Sequence, residues 1–228
     1  METIAIPGLG PTLVFLHEGL GAARGWRDFP ERLCALTGLA GFVYSRRGYG
    51  ASEPRPAPWP VEFMHEEAAR LPEIFPGVDD AILVGHSDGA SIALIHGRAR
   101  GMVLLAPHVV VEQKTVDSIA LLDDGVRERL RRLHGPKTDQ TFHAWRNLWL
   151  SPAFRSWNIE DAVPRVTCPL LLIQGHDDEY GTEAQLHSIE ARAKGPVTTL
   201  LLEHCGHAPF RDQPDATIAA ARRFILAL

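Results

Sequence analysis

Long hydrophobic runs are missing from this chain of 228 residues. No stretch approaches the roughly 18 residues that a membrane-crossing helix needs, so no membrane partner is expected. Positive charge is not concentrated either. Lys and Arg number 23 against 28 Asp and Glu, for a net charge of −5. No basic stripe is present, which argues against nucleic acid as a partner. Cysteine is scarce. Cys34, Cys168 and Cys205 have no paired spacing, which excludes a disulfide framework and suits a reducing compartment. Residues 1–7 lack the basic start and apolar core of a secretion signal. The combination points to a cytoplasmic protein. Histidine is plentiful, at 11, yet no H-x-x-x-H or H-E-x-x-H spacing occurs. Neither a metal nor another cofactor is expected. Internal repeats and low-complexity segments are absent. What remains is an ordinary globular composition, 45% hydrophobic, at a length suited to one α/β domain spanning 1–228.

Within it, one short segment carries chemistry. Gly85-His86-Ser87-Asp88-Gly89 fits G-x-S-x-G. Before it stands the apolar, β-rich Ile82-Leu83-Val84; after it come small residues and then Ile92, Leu94 and Ile95. A strand, a sharp turn and a helix are the context that makes this pattern a nucleophile elbow. Glycines at 85 and 89 permit the close strand-to-helix approach. The bland alternative is a buried Gly-Ser turn without chemistry.

A nucleophilic serine needs a base, and the base needs an orienting carboxylate. Residues 169–174 read as a buried strand. His176-Asp177-Asp178-Glu179 follows it, past the turn at Gly175. Residues 198–203 read as another strand, running into His204-Cys205-Gly206-His207-Ala208-Pro209. Both clusters therefore fall in loops at carboxyl ends of strands, the edge where parallel sheets bind ligands. Cys205 lacks an elbow and reads as a small buried residue.

Strand and helix alternate along the chain, which implies a parallel sheet covered on both faces. Strands are expected at 12–16, 41–45, 82–84 and 101–106, besides the two just given. Helices are expected near 23–37, 61–74 and 214–226, and one follows the elbow. The proline-rich 54–60 reads as a stiff surface connector. Residues 109–165 break the alternation, with helical signal only. Phe142, Trp145 and Trp149 fall on one helical face there. That face is expected both to pack on the core and to roof a pocket. His108, at a strand end, and Phe210, after the His207 loop, are candidate pocket residues.

These motifs together resemble the α/β-hydrolase fold superfamily over the whole chain. The resemblance implies a mostly parallel, doubly wound sheet. It also implies a small helical cap inserted at 109–165. Its acid motif, Gly-x-x-Asp, matches Gly175 to Asp178 and favours Asp178 over Asp177. Its Gly-His-x-Pro matches Gly206 to Pro209 and favours His207 over His204, which reads as a strand-end surface residue. The implied triad is Ser87, Asp178 and His207. His17-Glu18-Gly19-Leu20-Gly21 resembles the family's oxyanion loop, with Glu18 where glycine is common. Gly19 and Asp88 then supply the two oxyanion N–H groups. Glu18 either faces the loop or reaches the site. The Asp88 side chain either binds a polar substrate group or caps the following helix, the favoured reading. The loop 46–52 resembles the family's Arg-Gly-x-Gly-x-Ser turn, with Arg47 expected to tie it down. The closer likeness is to a bacterial subgroup without an assigned substrate.

The expected function is serine-dependent hydrolysis of a small ester, thioester or lactone. The rivals are cleavage of a carbon–carbon bond by the same triad, and binding of a small ligand without catalysis.

Overall fold

The computed structural model describes all residues, 1–228. The chain opens with β1 (Thr3–Ile6) and β2 (Leu9–Leu16), then α1 (Phe29–Thr37) and β3 (Leu39–Tyr44). Helix α2 (Phe63–Ile74) leads to β4 (Ile82–His86), α3 (Asp88–His96) and β5 (Gly101–Leu105). Three helices follow without a strand: α4 (Gln113–Ala120), α5 (Asp124–His134) and α6 (Thr138–Trp149). The chain then returns through β6 (Leu170–Gly175), α7 (Ala184–Arg192) and β7 (Val197–Leu202). It ends on the short α8 (Pro209–Asp212) and on α9 (Pro214–Ile225).

The seven strands form one sheet in the order β1-β3-β2-β4-β5-β6-β7. Only β1 runs antiparallel, pairing Thr3 with Tyr44 and Ile6 with Gly41. This is the expected α/β fold with a helical insertion. Alternation along β2 explains its two layers. Leu13 and Phe15 face one core with Trp26, Phe29 and Ile218, while Val14 and Leu16 face the other with Met64, Leu83 and Ile92. Strands β4, β5 and β6 are buried throughout, as central parallel strands are when helices cover both faces.

Three expectations need correction. Residues 23–37 are not one helix. A short 3-10 turn, Ala23–Trp26, ends at Arg27 with φ of 57°, and α1 begins at Phe29 with Pro30 in its first turn. Proline has no N–H to donate and is at home only there. The connector 54–60 is not merely surface. Trp59 is buried edge-on against Tyr49 with ring centroids 5.2 Å apart, and buried Arg55 binds Glu66 at 2.5 Å and also Glu67. The edge strand β1 and helix α7 were not expected. Four residues with two half-buried isoleucines give little periodicity to read.

The insertion docks through α6. Phe142, Trp145 and Trp149 are all buried, and Trp149 lies 4.7 Å from the ring of Phe154. A single bridge, Val110 to Asn158, closes its base.

Candidate active site

Strand β4 delivers the chain into a turn that only small neighbours allow. Ser87 has φ of 52° and ψ of −119°, a region that costs a non-glycine residue about 1–3 kcal/mol. Its N–H donates to the Leu105 carbonyl at 2.9 Å, and its own carbonyl accepts from Ala90 and Ser91. A Cβ on Gly85 would stand 2.7 Å from Ala90 backbone atoms, and one on Gly89 would overlap the Leu16 carbonyl. The two glycines thus let α3 start directly against the sheet, with Ser87 held between strand and helix.

Asp178 and His207 meet across the loops after β6 and β7. His207 Nδ1 donates to both Asp178 oxygens, at 2.9 and 3.0 Å. Asp178 is buried and also accepts the Tyr180 N–H at 2.8 Å. Burial alone would raise the Asp178 carboxyl, but His207 and that N–H hold it below the usual carboxylate range. Burial opposes the charged form of His207 as well. Asp178, with Glu179 and Glu18 behind it, outweighs this and raises the imidazole above its ordinary value. Asp177 is exposed, and its N–H bonds the Cys205 carbonyl. His204 is exposed too. No hydrogen bond joins Ser87 to His207 in this structure; both face one cavity. Such contacts commonly tighten only when substrate binds.

The loop after β2 is fixed from behind. His17 is buried, and burial holds its imidazole well below the ordinary value, hence neutral. Its Nδ1–H donates to the Glu18 carbonyl at 2.7 Å, while Nε2 accepts the Arg46 N–H at 3.1 Å. Buried Arg46 adds a second bond from Nη2 to the same carbonyl, at 2.9 Å. A peptide is planar, so two donors on the Glu18 oxygen also fix the direction of the Gly19 N–H. Neither that N–H nor the Asp88 N–H has a backbone acceptor. A Cβ on Gly19 would lie 2.5 Å from the Trp145 indole, so glycine is needed where the cap closes on the loop.

The cavity has a volume of about 600 Å³. Ser87, His207, Gly19, Glu18, His108, Trp145 and Trp149 line it. Burial raises the Glu18 carboxyl, but His86, at 3.4 Å, with His17 and Arg211, brings it down to about 2. Burial and the nearby His207 push His108 down to about 4. Phe210 does not line the cavity; it packs at 4.8 Å on Trp26, on the opposite side of the sheet from α3. The Asp88 side chain neither caps α3 nor enters the cavity. Its Oδ2 accepts the Trp145 Nε1–H at 3.0 Å and stands 3.8 Å from Arg46. Burial outweighs Arg46 and raises its carboxyl above the usual range. Arg47, expected to hold the 46–52 loop, is exposed with one 3.4 Å bond to the Pro54 carbonyl; the loop is held by His134 on the Gly50 N–H and by Thr141 on the Gly48 carbonyl, while Arg46 turns inward to His17 and Glu18. Period-two alternation continued past Tyr44 puts Arg46, not Arg47, on the inner face. Tyr180, 4.8 Å from the His207 ring and lining the cavity, was also missed. No cluster of His, Cys, Asp and Glu has the geometry of a metal site.

The sequence profile of the Alpha/beta hydrolase family matches residues 13–221. The chain belongs to the alpha/beta hydrolase family. No curated protein matches its sequence. Solved structures do match in fold. One is a thermophilic esterase from Thermogutta terrifontis, malate bound, at 17% identity and TM-score 0.76, covering 99% of this chain and 93% of that one. Another is the α/β hydrolase MGS-M2 from a Medee basin deep-sea metagenome, at 17% and 0.74, covering 98% and 93%. A third is the enol-lactonase of Burkholderia xenovorans LB400, at 17% and 0.72, covering 99% and 96%. At such identities this alpha/beta hydrolase shares their architecture; its chemistry rests on its own residues. No helix is long and apolar enough to cross a membrane.

Proposed function

We propose that this alpha/beta hydrolase is a serine hydrolase acting on a small ester, thioester or lactone. The observation that carries the reading is the pair of bonds from His207 Nδ1 to buried Asp178, at the cavity that also holds Ser87. With Nδ1–H given to the carboxylate, Nε2 is left as the basic nitrogen.

Ser87 Oγ attacks the substrate carbonyl, and its proton passes to His207 Nε2. Asp178 stabilises the imidazolium so formed. The Gly19 and Asp88 N–H groups receive the oxyanion, a contribution of about 3–4 kcal/mol per donor in comparable sites. Collapse of the intermediate expels the alcohol, thiol or ring oxygen, which takes the proton from His207. Water then gives a proton to His207 and attacks the acyl-serine; as the second intermediate collapses, His207 returns that proton to Ser87 Oγ, releasing the acid and restoring the free serine.

Two charges near the site, Asp88 and Glu18, would support the carbon–carbon rival. Asp88 is committed to Trp145 and Arg46, away from the cavity, which removes one of its two supports.

The test is a panel of short-chain esters, thioesters and lactones assayed with wild type and Ser87→Ala. Turnover by wild type that Ser87→Ala loses by about 10⁴-fold or more supports the reading. Equal turnover by both contradicts it.

A further inference from the structure

The cavity is asymmetric in charge. The chain as a whole carries −5, yet five arginines line this opening against one acid, Glu18. Arg24 is paired with Glu2 at 3.3 Å. Arg27, Arg129, Arg132 and Arg211 have no salt bridge and no side-chain hydrogen bond. Helix α5 shows that this is selective. Its other two arginines, Arg127 and Arg131, bind Asp124, Glu128 and Asp139. Arg129 and Arg132, three residues apart on the face that lines the cavity, are left without carboxylates. Glu179 and Asp212, which line an adjoining pocket with Arg27 and Arg211, bond backbone N–H groups instead. Glu179 accepts the His207 N–H and Asp212 the Gly206 N–H, each at 3.0 Å.

Part of the cavity wall is apolar. Val126 and Leu130 of α5, with Ile119 and Leu122, line the cavity. Buried Ser87 and exposed arginines therefore line one cavity together with these apolar side chains. Unpaired guanidinium groups at a substrate opening recognise oxyanions, because their fork of N–H donors matches a carboxylate or phosphate.

We propose that the cavity takes anionic esters or thioesters, with the charge on the acyl or the leaving group. The reacting carbonyl sits at Ser87, and a carboxylate or phosphate at the far end is held by Arg129 and Arg132 of the cap, with Arg27 and Arg211 opposite. This rests on the serine-hydrolase reading above and names its substrate class.

Two matched pairs test it: methyl 4-nitrophenyl adipate against mono-4-nitrophenyl adipate, and S-butyryl-pantetheine against S-butyryl-4′-phosphopantetheine. The first pair isolates a carboxylate and the second a phosphate. Wild type is expected to favour one or both charged members in kcat/KM by roughly tenfold or more, the size expected of one charge-assisted hydrogen bond. Arg129→Gln/Arg132→Gln removes most of that preference, and raised ionic strength weakens it. Arg127→Gln and Arg131→Gln, on the paired face, keep it. Titration of adipate and of S-butyryl-4′-phosphopantetheine into Ser87→Ala gives a readout that needs no turnover. Binding there that the double Arg129/Arg132 variant loses upholds the anion site even if no substrate is cleaved, an outcome that would overturn the hydrolase reading alone. Equal kcat/KM on charged and neutral members, with no binding in the titrations, overturns the anion site and leaves the hydrolase intact. A preference that survives in the double variant also overturns the assignment to Arg129 and Arg132.

Discussion

The indole of Trp145, on cap helix α6, donates to the carboxylate of Asp88 at 3.0 Å, and Asp88 is the residue after Ser87, the proposed nucleophile. Cap and elbow are thus joined by one buried hydrogen bond. Its other neighbours are Gly19, under the indole, and Arg46, at 3.8 Å from the carboxylate. The cap is thereby registered to the loop at Gly19 and to the start of α3, the two places that carry N–H groups without a backbone acceptor.

Trp145→Phe keeps most of the packing and removes the donor. The Asp88 carboxylate then loses its only hydrogen bond while staying buried, a change worth about 1–3 kcal/mol. Chemical denaturation is expected to show that loss. Combined with Asp88→Asn, it should be markedly non-additive, by about 0.5–3 kcal/mol. Additive losses would mean that the two side chains are not coupled.

Arg46→Met and Arg47→Met separate two adjacent arginines. Arg46 holds the Glu18 carbonyl and faces Asp88, so its loss frees the Gly19 peptide and leaves a buried carboxylate without a cation. Stability is expected to fall by about 3 kcal/mol, and kcat to fall more than KM rises. Arg47 is exposed, and its replacement should stay within about 0.5 kcal/mol. Comparable losses in both variants would contradict this placement.

The pH dependence has a definite sign. In the proposed mechanism His207 accepts the Ser87 proton only when neutral, and Asp178 raises its pKa above the ordinary imidazole value of about 6.5. The charged form therefore persists to higher pH than in a free imidazole. The acid limb of kcat/KM is expected to have its midpoint above that value, with activity rising as pH increases. A midpoint below it would show that Asp178 does not govern His207.

Asp178→Asn removes the carboxylate but not its volume. The preferred Nδ1–H tautomer and the stabilised imidazolium are both lost, and kcat should drop by about 10⁴-fold. The midpoint of any residual activity should move to lower pH. Asp177→Asn should leave both quantities unchanged, because Asp177 is exposed and meets His207 nowhere.

The reach of the sequence followed the strength of its local patterns. The central strands were legible because continuous apolar runs bounded by glycine or charge have few other homes. The elbow was legible because Gly85 and Gly89 bracket Ser87 at a fixed spacing. Asp178 and His207 fell at strand ends, where a parallel sheet gathers its loops. Tertiary relationships were not legible. Asp88 at a helix start looked like a cap, yet a tryptophan 57 residues on takes its carboxylate. Phe210 looked like a pocket wall because it follows His207, but the turn into α8 sends it to the other core. The paired and unpaired arginines of α5 differ only in which acids lie near them in space. Sequence order carries no such information.

The account's central claim is that Ser87 is an activated nucleophile open to the cavity. Intact-mass analysis after treatment with a fluorophosphonate probe tests it most directly, with wild type beside Ser87→Ala. One adduct is expected on wild type, absent from Ser87→Ala and nearly absent from His207→Ala. An unlabelled wild type, or an adduct that persists in Ser87→Ala, would contradict it.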